Sequence, residues 1–349
     1  LNEDARSTDL PLLMRAASNP VGNIRIREAV EQEEVRIRDL FVPGISEEEI
    51  LEKGERFTEV IENFGILASG SSGLQGEWPK MALTQKADGL FYPDSTVSDD
   101  EALRHVIVKI LKSNKESDAM TLEAEAGYSQ IAKDLGLNVF DVSSYRNGVL
   151  MIPRFDREVT NGAVIRHGQE SMVSALGISE FAHRAKHEDY IGVLKQHSSN
   201  PFEDIVEYIK RDIANLALGN PDNHGRNTAL RKKQDGRVEL APLFDFAPMK
   251  LSEEAIGRST RWEAMNGKLE VRPDWNRIAC NIFDDDDDAT RLLEEIASFA
   301  QKLSEAPKLA RKMGLPDRVC DTGMAACDEI VRSVETSAEN HMRGRRCPK

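Results

Sequence analysis

The stretch Gly219-Asn-Pro-Asp-Asn-His-Gly-Arg-Asn227 directs the interpretation of this chain. It follows residues 202–217, where apolar side chains recur at helical spacing, and its glycine and proline end that pattern. Asp222 and Asn227 have the spacing at which a phosphoryl-transfer loop places a carboxylate for the acceptor hydroxyl and an amide oxygen for magnesium. Asp and Asn are also common in turns, so the motif needs support from elsewhere.

A second candidate magnesium ligand lies downstream, in Leu240-Ala-Pro-Leu-Phe-Asp245-Phe. The apolar run predicts a strand with Asp245 at its end, where a solvated loop charge is not expected. A metal-binding aspartate would explain this position, as in the D-F-G segment of kinases. The alternative is an aspartate that caps the following turn.

A lysine within an apolar run is the third signal. Residues 104–111 are rich in β-branched side chains and predict a central strand, with Lys109 on one face. A lysine there costs free energy unless it meets a negative partner. Phosphates of ATP would be such a partner, as would Glu125 on the helix predicted from Thr121 to Leu135. The alternative is a lysine on an edge strand that reaches solvent.

The fourth signal is the glycine- and serine-rich stretch Ser69-Gly-Ser-Ser-Gly-Leu-Gln-Gly76. Its glycines allow close approach of the backbone to phosphate oxygens, and its N–H groups and hydroxyls can bind them. A flexible loop is the alternative. Taken together, the Gly-rich stretch, strand lysine, helix glutamate, Asp222, Asn227 and Asp245 follow the linear order of a two-lobed kinase.

Strand patterns precede helical patterns along the chain. Residues 21–27 and 148–152 read as strands, whereas residues 292–303 form an amphipathic helical stripe, and the acidic run 284–288 is suited to a helix start rather than a calcium loop. We therefore expect an α+β, two-lobed, kinase-like fold. The predicted lobes are a sheet-bearing N-terminal lobe, 1–152, and a mainly helical C-terminal lobe, 153–349.

Composition narrows the classes of partner. The 349 residues are 40% hydrophobic and 30% charged, as in globular proteins, and the formal net charge of −14 argues against direct contact with nucleic acid. No apolar run is long enough to cross a membrane. Four cysteines without C-x-x-C spacing predict reduced thiols and a cytoplasmic location. The chain begins at Leu1, so we expect residues upstream.

These residues resemble the HipA-like serine/threonine kinases of bacterial toxin–antitoxin modules. The resemblance runs from about residue 65 to 250, and Pro20-Val-Gly-Asn-Ile24 also looks like the small N-terminal subdomain of that family. The matching segments are Ser72-Gly-Leu-Gln75 with Lys80, Val106-Ile-Val-Lys109, Glu125-Ala-Gly-Tyr-Ser-Gln-Ile-Ala-Lys-Asp-Leu-Gly-Leu137, Pro153-Arg-Phe-Asp-Arg157, Gly219–Asn227 and Leu240–Asp245.

The resemblance implies a role for each site residue. Asp222 would act as base or orienter for the acceptor hydroxyl, with His224 supporting the loop. Asn227 and Asp245 would bind Mg²⁺. The residues expected to bind ATP are Ser72, Gly73 and Gln75 of the Gly-rich stretch, Lys109 paired with Glu125, and the Pro153 carbonyl and Phe155 N–H at the adenine edge.

Regulation and partners are also implied by the resemblance. Autophosphorylation of Ser69, Ser71 or Ser72 would place a doubly negative group where ATP phosphates bind, and so inhibit the kinase. The family position of the regulatory serine aligns near Gly70, and an insertion, Gly76-Glu-Trp-Pro79, precedes Lys80. A small DNA-binding antitoxin would be a partner, and a translation factor such as an aminoacyl-tRNA synthetase would be the protein substrate.

Two other functions remain open on the sequence. A small-molecule kinase would use the same lobes, the same loop aspartate and the same magnesium ligands. A non-catalytic module that binds a nucleotide or a partner would be compatible with the altered Gly-rich stretch.

Overall fold

The structure, a computed structural model, describes residues 10–11, 14, 17–65, 78–180, 183, 185–254, 256–263 and 272–344. The chain divides into two compact units, each assembled from separate stretches of sequence. The first unit comprises 1–126, 140–169 and 231–236, and the second comprises 127–139, 170–230 and 237–349. The boundary at 152/153 stays a prediction.

The first unit contains a five-stranded sheet whose paired strands are antiparallel, in the order β2-β1-β3-β5-β4. Its strands are β1 (Lys80–Lys86), β2 (Phe91–Pro93), β3 (Ala102–Ile110), β4 (Ser144–Arg146) and β5 (Val149–Pro153). A separate hairpin pairs β6 (Arg157–Thr160) with β7 (Ala163–Arg166). The helices that precede the sheet are α1 (Arg27–Ile37), α2 (Glu47–Leu51) and α3 (Glu55–Val60), and α4 (Glu116–Asp134) follows β3.

The central strand β3 confirms the strand predicted over residues 104–111. Val106 and Val108 on one of its faces are buried in a core that includes Phe57, Leu83 and Phe91. Because side chains alternate along a strand, Lys109 is directed to the opposite face. One face of β3 therefore contributes to the core, and the other face carries Lys109 of the candidate site.

Asn-Gly turns shape two hairpins of the first unit. Asn147 and Gly148 have φ values of 53° and 76° and connect β4 to β5. Asn161 and Gly162, with φ values of 52° and 74°, connect β6 to β7. Two successive residues with positive φ match the right-handed twist of a hairpin, and Asn-Gly adopts this geometry readily. The strand predicted over 148–152 is thereby confirmed as β5.

The strand predicted over residues 21–27 is wrong, because side chains bind the backbone there. Gly22 has a φ of 93°, its N–H donates to Asp156 Oδ2 at 2.9 Å, and its carbonyl accepts from Arg157 at 2.7 Å. The helix α1 then begins at Arg27.

The start of the helix predicted at Thr121 is also wrong. Helix α4 begins at Glu116, and the Thr121 hydroxyl donates to the Ser117 carbonyl at 2.8 Å within the helix instead of capping it. The predicted end is confirmed, since Gly136 follows with a φ of 84°.

The second unit is mainly helical. Its helices are α5 (Met172–Ala175), α6 (His187–His197), α7 (Pro201–Ala217), α8 (Trp275–Ile282), α9 (Asp286–Leu303), α10 (Ala306–Lys312) and α11 (Cys327–Met342). Elsewhere in the chain, three short strands, β8 (Gly168–Ser171), β9 (Ala229–Lys232) and β10 (Val238–Leu240), form a sheet in the order β10-β9-β8. Both long predicted helices, α7 and α9, are present. The acidic run starts α9 as predicted, since Asp285 caps it by accepting from the Asp287 N–H.

Two further observations concern expectations from composition. Cys320 and Cys327 are free and buried, as expected for reduced thiols, whereas Cys280 is disulfide-bonded, contrary to that expectation. Within the part of the chain that the structure describes, no helix combines the length and apolar character needed to cross a membrane.

Candidate active site

The first unit contains the predicted lysine–glutamate pair. Lys109 Nζ lies 2.7 Å from Glu125 Oε2, and the two residues are only 4% and 6% exposed. Burial of an ammonium is costly without a negative partner, and the carboxylate on α4 supplies one. The Trp78 ring centroid lies 5.5 Å from the same ammonium, within the range of a cation–π contact. The pairing is confirmed, while the binding of ATP phosphates by Lys109 stays a prediction.

The residues proposed for the adenine edge lie at the end of β5. Pro153 pairs with Val106 of β3, and the next residue, Arg154, donates its N–H to the His105 carbonyl at 3.0 Å. Phe155 follows, and its carbonyl accepts from Arg231 at 3.3 Å. The segment is thus held against the central strand, and its contact with adenine stays a prediction.

Charged residues of the segment 153–157 have a structural role that sequence reasoning missed. Arg154 binds both oxygens of Asp156, at 2.9 and 2.7 Å, and reaches Asp94 at 2.9 Å. Arg157 also binds Asp156, at 2.7 Å, and Asp156 in turn accepts from the Gly22 N–H. These buried ion pairs attach the N-terminal segment to the end of the sheet. The alternation of charge in Arg-Phe-Asp-Arg is the signal that could have indicated them.

The loop of residues 219–227, here called the Asp222 loop, depends on two glycines in the second unit. Gly219 has a φ of 70°, and a Cβ on it would lie 2.2 Å from the Gly323 carbonyl oxygen. A Cβ on Gly225 would lie 2.1 Å from the Tyr190 hydroxyl. Both approaches are too close for any side chain, so these positions require glycine.

Within the loop, the predicted catalytic residues contact one another. Asn227 Nδ2 donates to the Asp222 carbonyl at 2.9 Å and lies 3.5 Å from Asp222 Oδ2. The Asp222 N–H donates to Asn220 Oδ1 at 3.2 Å, and His224 Nε2 lies 3.4 Å from Asp222 Oδ1. With its nitrogen engaged in this way, Asn227 has its amide oxygen as the atom that could bind a metal.

Asp245 lines the same cavity as Asp222 and Asn227. Its φ of 54° lies in the left-handed region, which non-glycine residues rarely adopt and which concentrates at functional sites. Strand β10 ends at Leu240, so Asp245 lies five residues beyond the strand and not at its end as predicted. The backbone before it is held because the Leu243 N–H donates to the Asn138 carbonyl at 2.8 Å.

The donor atoms in this cavity are suited to Mg²⁺. A carboxylate from Asp245 and an amide oxygen from Asn227 are hard oxygen ligands, which Mg²⁺ prefers, and Mg²⁺ commonly completes its shell with water and substrate phosphates. Among the described residues, no group of three or more His, Cys, Asp or Glu side chains is arranged to bind a metal by itself.

The Gly-rich stretch lies outside the described residues. This applies to the predicted phosphate-binding residues Ser72, Gly73 and Gln75, and to the predicted autophosphorylation sites Ser69, Ser71 and Ser72. Their roles stay predictions.

Asp212 on α7 contacts the Asp222 loop and was not predicted as a site residue from the sequence. This carboxylate is 2% exposed and accepts from Asn223 of the Asp222 loop at 3.1 Å. The available signal was its position on the apolar stripe of α7, three residues after Ile209 and four before Leu216. A charge on such a stripe indicates a buried, paired group.

A family comparison agrees with this arrangement. The model of the HipA-like C-terminal domain matches residues 72–303 of the 349 in the chain. The chain belongs to the HipA-like family, as the sequence resemblance indicated.

Curated relatives match over shorter stretches. A Sinorhizobium fredii protein named "Putative kinase Y4mE" is 31% identical over 135 residues, which cover 36% of this chain and 32% of that protein. A Haemophilus influenzae protein named "Putative kinase" is 27% identical over 153 residues, covering 39% and 44%. The matched part thus spans less than half the length of either relative.

Among solved structures, the chain is similar to HipA of Shewanella oneidensis, determined in a complex with HipB and operator DNA. The TM-score is 0.50 at 17% identity, covering 77% of this chain and 65% of that one. At this identity the likeness concerns the fold. The α+β, two-lobed, kinase-like fold expected from the sequence is confirmed.

Proposed function

We propose that this chain is an ATP- and Mg²⁺-dependent kinase that phosphorylates a serine or threonine hydroxyl of a protein. The observation that carries the proposal is the cavity of the second unit, which Asp222, Asn227 and Asp245 all line. The buried Lys109–Glu125 pair of the first unit supports it, because a phosphate-binding lysine requires a fixed ammonium.

Each residue would have a defined task in the transfer. Asp222 accepts the proton of the acceptor hydroxyl while the hydroxyl oxygen bonds to the γ-phosphorus and the bond from that phosphorus to the bridging oxygen of ADP breaks. His224 and Asn227 orient the Asp222 carboxylate and the loop backbone. Asn227 and Asp245 would hold Mg²⁺, which neutralises charge on the phosphates when bound.

The test is transfer of label from γ-labelled ATP to protein in a cell lysate. We expect Asp222→Asn and Asp245→Asn to lower transfer by at least 100-fold, and chelation of Mg²⁺ to abolish it. Asp317→Asn is the matched control, because Asp317 is exposed and distant in sequence from the loop. Undiminished transfer in both site variants would refute the assignment.

The acceptor class is decided by where the label appears. Label on metabolites alone would identify a small-molecule kinase, and tight partner binding without nucleotide binding would identify a non-catalytic module. Phosphoproteomics of cells that express the wild type or Asp222→Ala would identify the substrate, for which a translation factor is our proposal.

Partners and regulation follow from the same proposal. The similar Shewanella HipA was determined with HipB, so we propose a small antitoxin partner for this chain. Mass spectrometry after incubation with ATP tests autophosphorylation at Ser69, Ser71 or Ser72. A cytoplasmic location stays a prediction.

A further inference from the structure

Asp212 is a buried ionised group for which the proposed reaction has no direct use. It lies in the fourth turn of α7 and is 2% exposed, with apolar neighbours in sequence such as Ile213. Burial raises the pKa of a carboxyl, but Arg258 and His187 lower the pKa of Asp212 below its ordinary value. The group is therefore a carboxylate at neutral pH, and its hydrogen-bond donors compensate for the loss of hydration on burial.

The two oxygens of Asp212 bind three donors from two different segments. Oδ1 accepts from Asn223 Nδ2 at 3.1 Å and from Arg258 Nη2 at 2.6 Å, and Oδ2 accepts from Trp262 Nε1 at 2.9 Å. Asn223 belongs to the Asp222 loop, whereas Arg258 and Trp262 belong to the segment 256–263. A single buried carboxylate thus connects the loop with a segment that follows Asp245 in sequence.

His187 completes the cluster as an uncharged ring. Its Nδ1 lies 2.7 Å from the Tyr208 hydroxyl, its Nε2 lies 3.4 Å from Asp212 Oδ1, and its ring stacks on Trp262 at 4.6 Å. Burial lowers the pKa of His187 to about 4. With the ring neutral at pH 7, Arg258 is the cation that balances Asp212 in this cluster.

Asp212 is connected to the proposed catalytic carboxylate of Asp222 through the backbone of the neighbouring residue. Asn223 directly follows Asp222, so the bond from Asn223 to Asp212 restrains the backbone on which the Asp222 carboxylate is carried. The other attachments of the Asp222 loop are its internal bonds, the close contact of Gly225 with Tyr190, and backbone bonds such as that from the Lys250 N–H to the Gly219 carbonyl at 3.0 Å. Small displacements of a catalytic group are costly in rate.

We propose that Asp212 is a positioning residue, which holds the Asp222 loop through Asn223 and couples its geometry to the segment 256–263 through Arg258 and Trp262. The proposal rests on the proposed kinase function. Because Arg258 and Asn223 share one oxygen of the carboxylate, a displacement of the segment alters the bond that holds the loop.

The activity test uses two variants that disturb the bond between Asn223 and Asp212 from opposite sides. Asp212→Asn replaces one accepting oxygen by a donor, and Asn223→Ala removes the loop's donor without altering the buried carboxylate. We expect kcat for phosphate transfer to fall at least 10-fold in each, while the Kd for ATP with Mg²⁺, measured by calorimetry, changes less than 3-fold. The double variant should be no slower than Asp212→Asn alone, because Asn223→Ala removes a bond that the change at Asp212 already disturbs.

Asp204→Asn is the matched control on the same helix. Asp204 accepts from the Ser198 hydroxyl at 2.5 Å and the Leu240 N–H at 2.9 Å, and neither donor belongs to the Asp222 loop. We expect its kcat to stay within 2-fold of the wild type. A fall equal to that of Asp212→Asn would overturn the proposal, since the effect would then belong to the helix in general.

A second measurement separates this proposal from the kinase function. Amide hydrogen exchange across residues 219–228 should quicken at least 10-fold in Asp212→Asn and in Asn223→Ala, with the other helices of the unit unchanged. Should the wild type transfer no phosphate, the kinase function fails, yet exchange still decides whether Asp212 holds the loop. Unchanged exchange in folded Asn223→Ala overturns the positioning role, and so does quickened exchange with an unchanged kcat. If Asp212→Asn does not fold, both the kcat and the exchange are measured on Asn223→Ala.

Discussion

Single residues of the candidate site occupy positions that are energetically unfavourable without specific partners. Lys109 is a buried ammonium that depends on Glu125, and Asp245 has a backbone conformation that few non-glycine residues adopt. Such arrangements persist where the surrounding structure enforces them, and they concentrate at sites of binding and catalysis.

Replacement of Lys109 tests the buried pair. Lys109→Met should lower the free energy of unfolding by about 3 kcal/mol, because it leaves the Glu125 carboxylate buried without its ammonium. We also expect binding of ATP, measured by calorimetry, to weaken at least 10-fold. Lys112→Met is the matched control, since the Lys112 ammonium also lies over the Trp78 ring, at 5.4 Å, but outside the predicted site. Equal effects of the two variants would contradict the role of Lys109.

At the scale of elements, the Asp222 loop is shaped by close approach to other elements. Gly225 lies against Tyr190 of α6, and Gly219 lies against the backbone of Gly323. Asn223 of the loop also donates one hydrogen bond to Asp212 of α7. Its conformation is therefore imposed from several sides and does not depend on turn residues alone.

Introduction of a methyl group at Gly225 tests this imposed conformation. Gly225→Ala would place a Cβ 2.1 Å from the Tyr190 hydroxyl, so the loop or α6 must shift. We expect a loss of about 1–3 kcal/mol in the free energy of unfolding from overpacking, together with a large fall in phosphate transfer. The control is Gly192→Ala on the same helix as Tyr190, where a Cβ meets nothing within 4 Å. It should stabilise the protein by about 0.5–1 kcal/mol, since alanine is the better helix former.

The ion pairs of Arg154, at the end of β5, also connect separate elements. Arg154→Met would leave Asp94 and Asp156 buried without their shared guanidinium, and we expect a loss of about 3–5 kcal/mol in denaturant unfolding. Arg104→Met is the matched control in the same unit. Its ion pair with Glu47, at 2.6 Å, is nearly half exposed, so its removal should change stability by less than about 1 kcal/mol. A small effect of Arg154→Met would show that this network is not needed for folding.

At the scale of the whole molecule, buried ionisable groups among the described residues form a cluster in each unit. The first surrounds Arg154, and the second surrounds Asp212. The two clusters respond to pH in different windows. Arg154 keeps the pKa of Asp94 and of Asp156 below the ordinary value despite burial, so their contribution to stability is present above about pH 4 and is lost in stronger acid.

His187 governs the window between neutral pH and pH 4. Burial lowers its pKa from 6.5 to about 4, with Asp212 opposing and Arg258 reinforcing the shift. Between these values the unfolded chain binds a proton that the folded chain does not, so stability falls as the pH falls, by about 3 kcal/mol. We expect His187→Gln to flatten this dependence in unfolding measurements from pH 7 to 4.5. His197→Gln, at the exposed end of the same helix, should retain the slope of the wild type.

Local patterns were sufficient for much of the fold and for the choice of the candidate site residues. The apolar stripe of residues 202–217 and the acidic start of α9 predicted helices that are present, and the β-branched run 104–111 predicted β3. Lys109 and Asp245 stood out as charged residues in apolar runs, and Asp222 and Asn227 stood out by their spacing. Periodicity, capping and residue spacing are short-range properties, and a linear sequence displays them directly.

Other contacts could not be predicted from the sequence because the residues that form them lie far apart in the chain. Gly22 meets Asp156 across 134 positions, so an alternating pattern that looks like a strand became an irregular segment held by side chains. Asp212 meets Trp262 across 50, and Gly225 meets Tyr190 only because two elements are packed together. The sequence alone thus determined the longest helices, the central strand and the residues proposed to carry the chemistry. Packing determined how the loop is held and which buried charges are balanced, because those energies depend on distances between elements that local spacing does not encode.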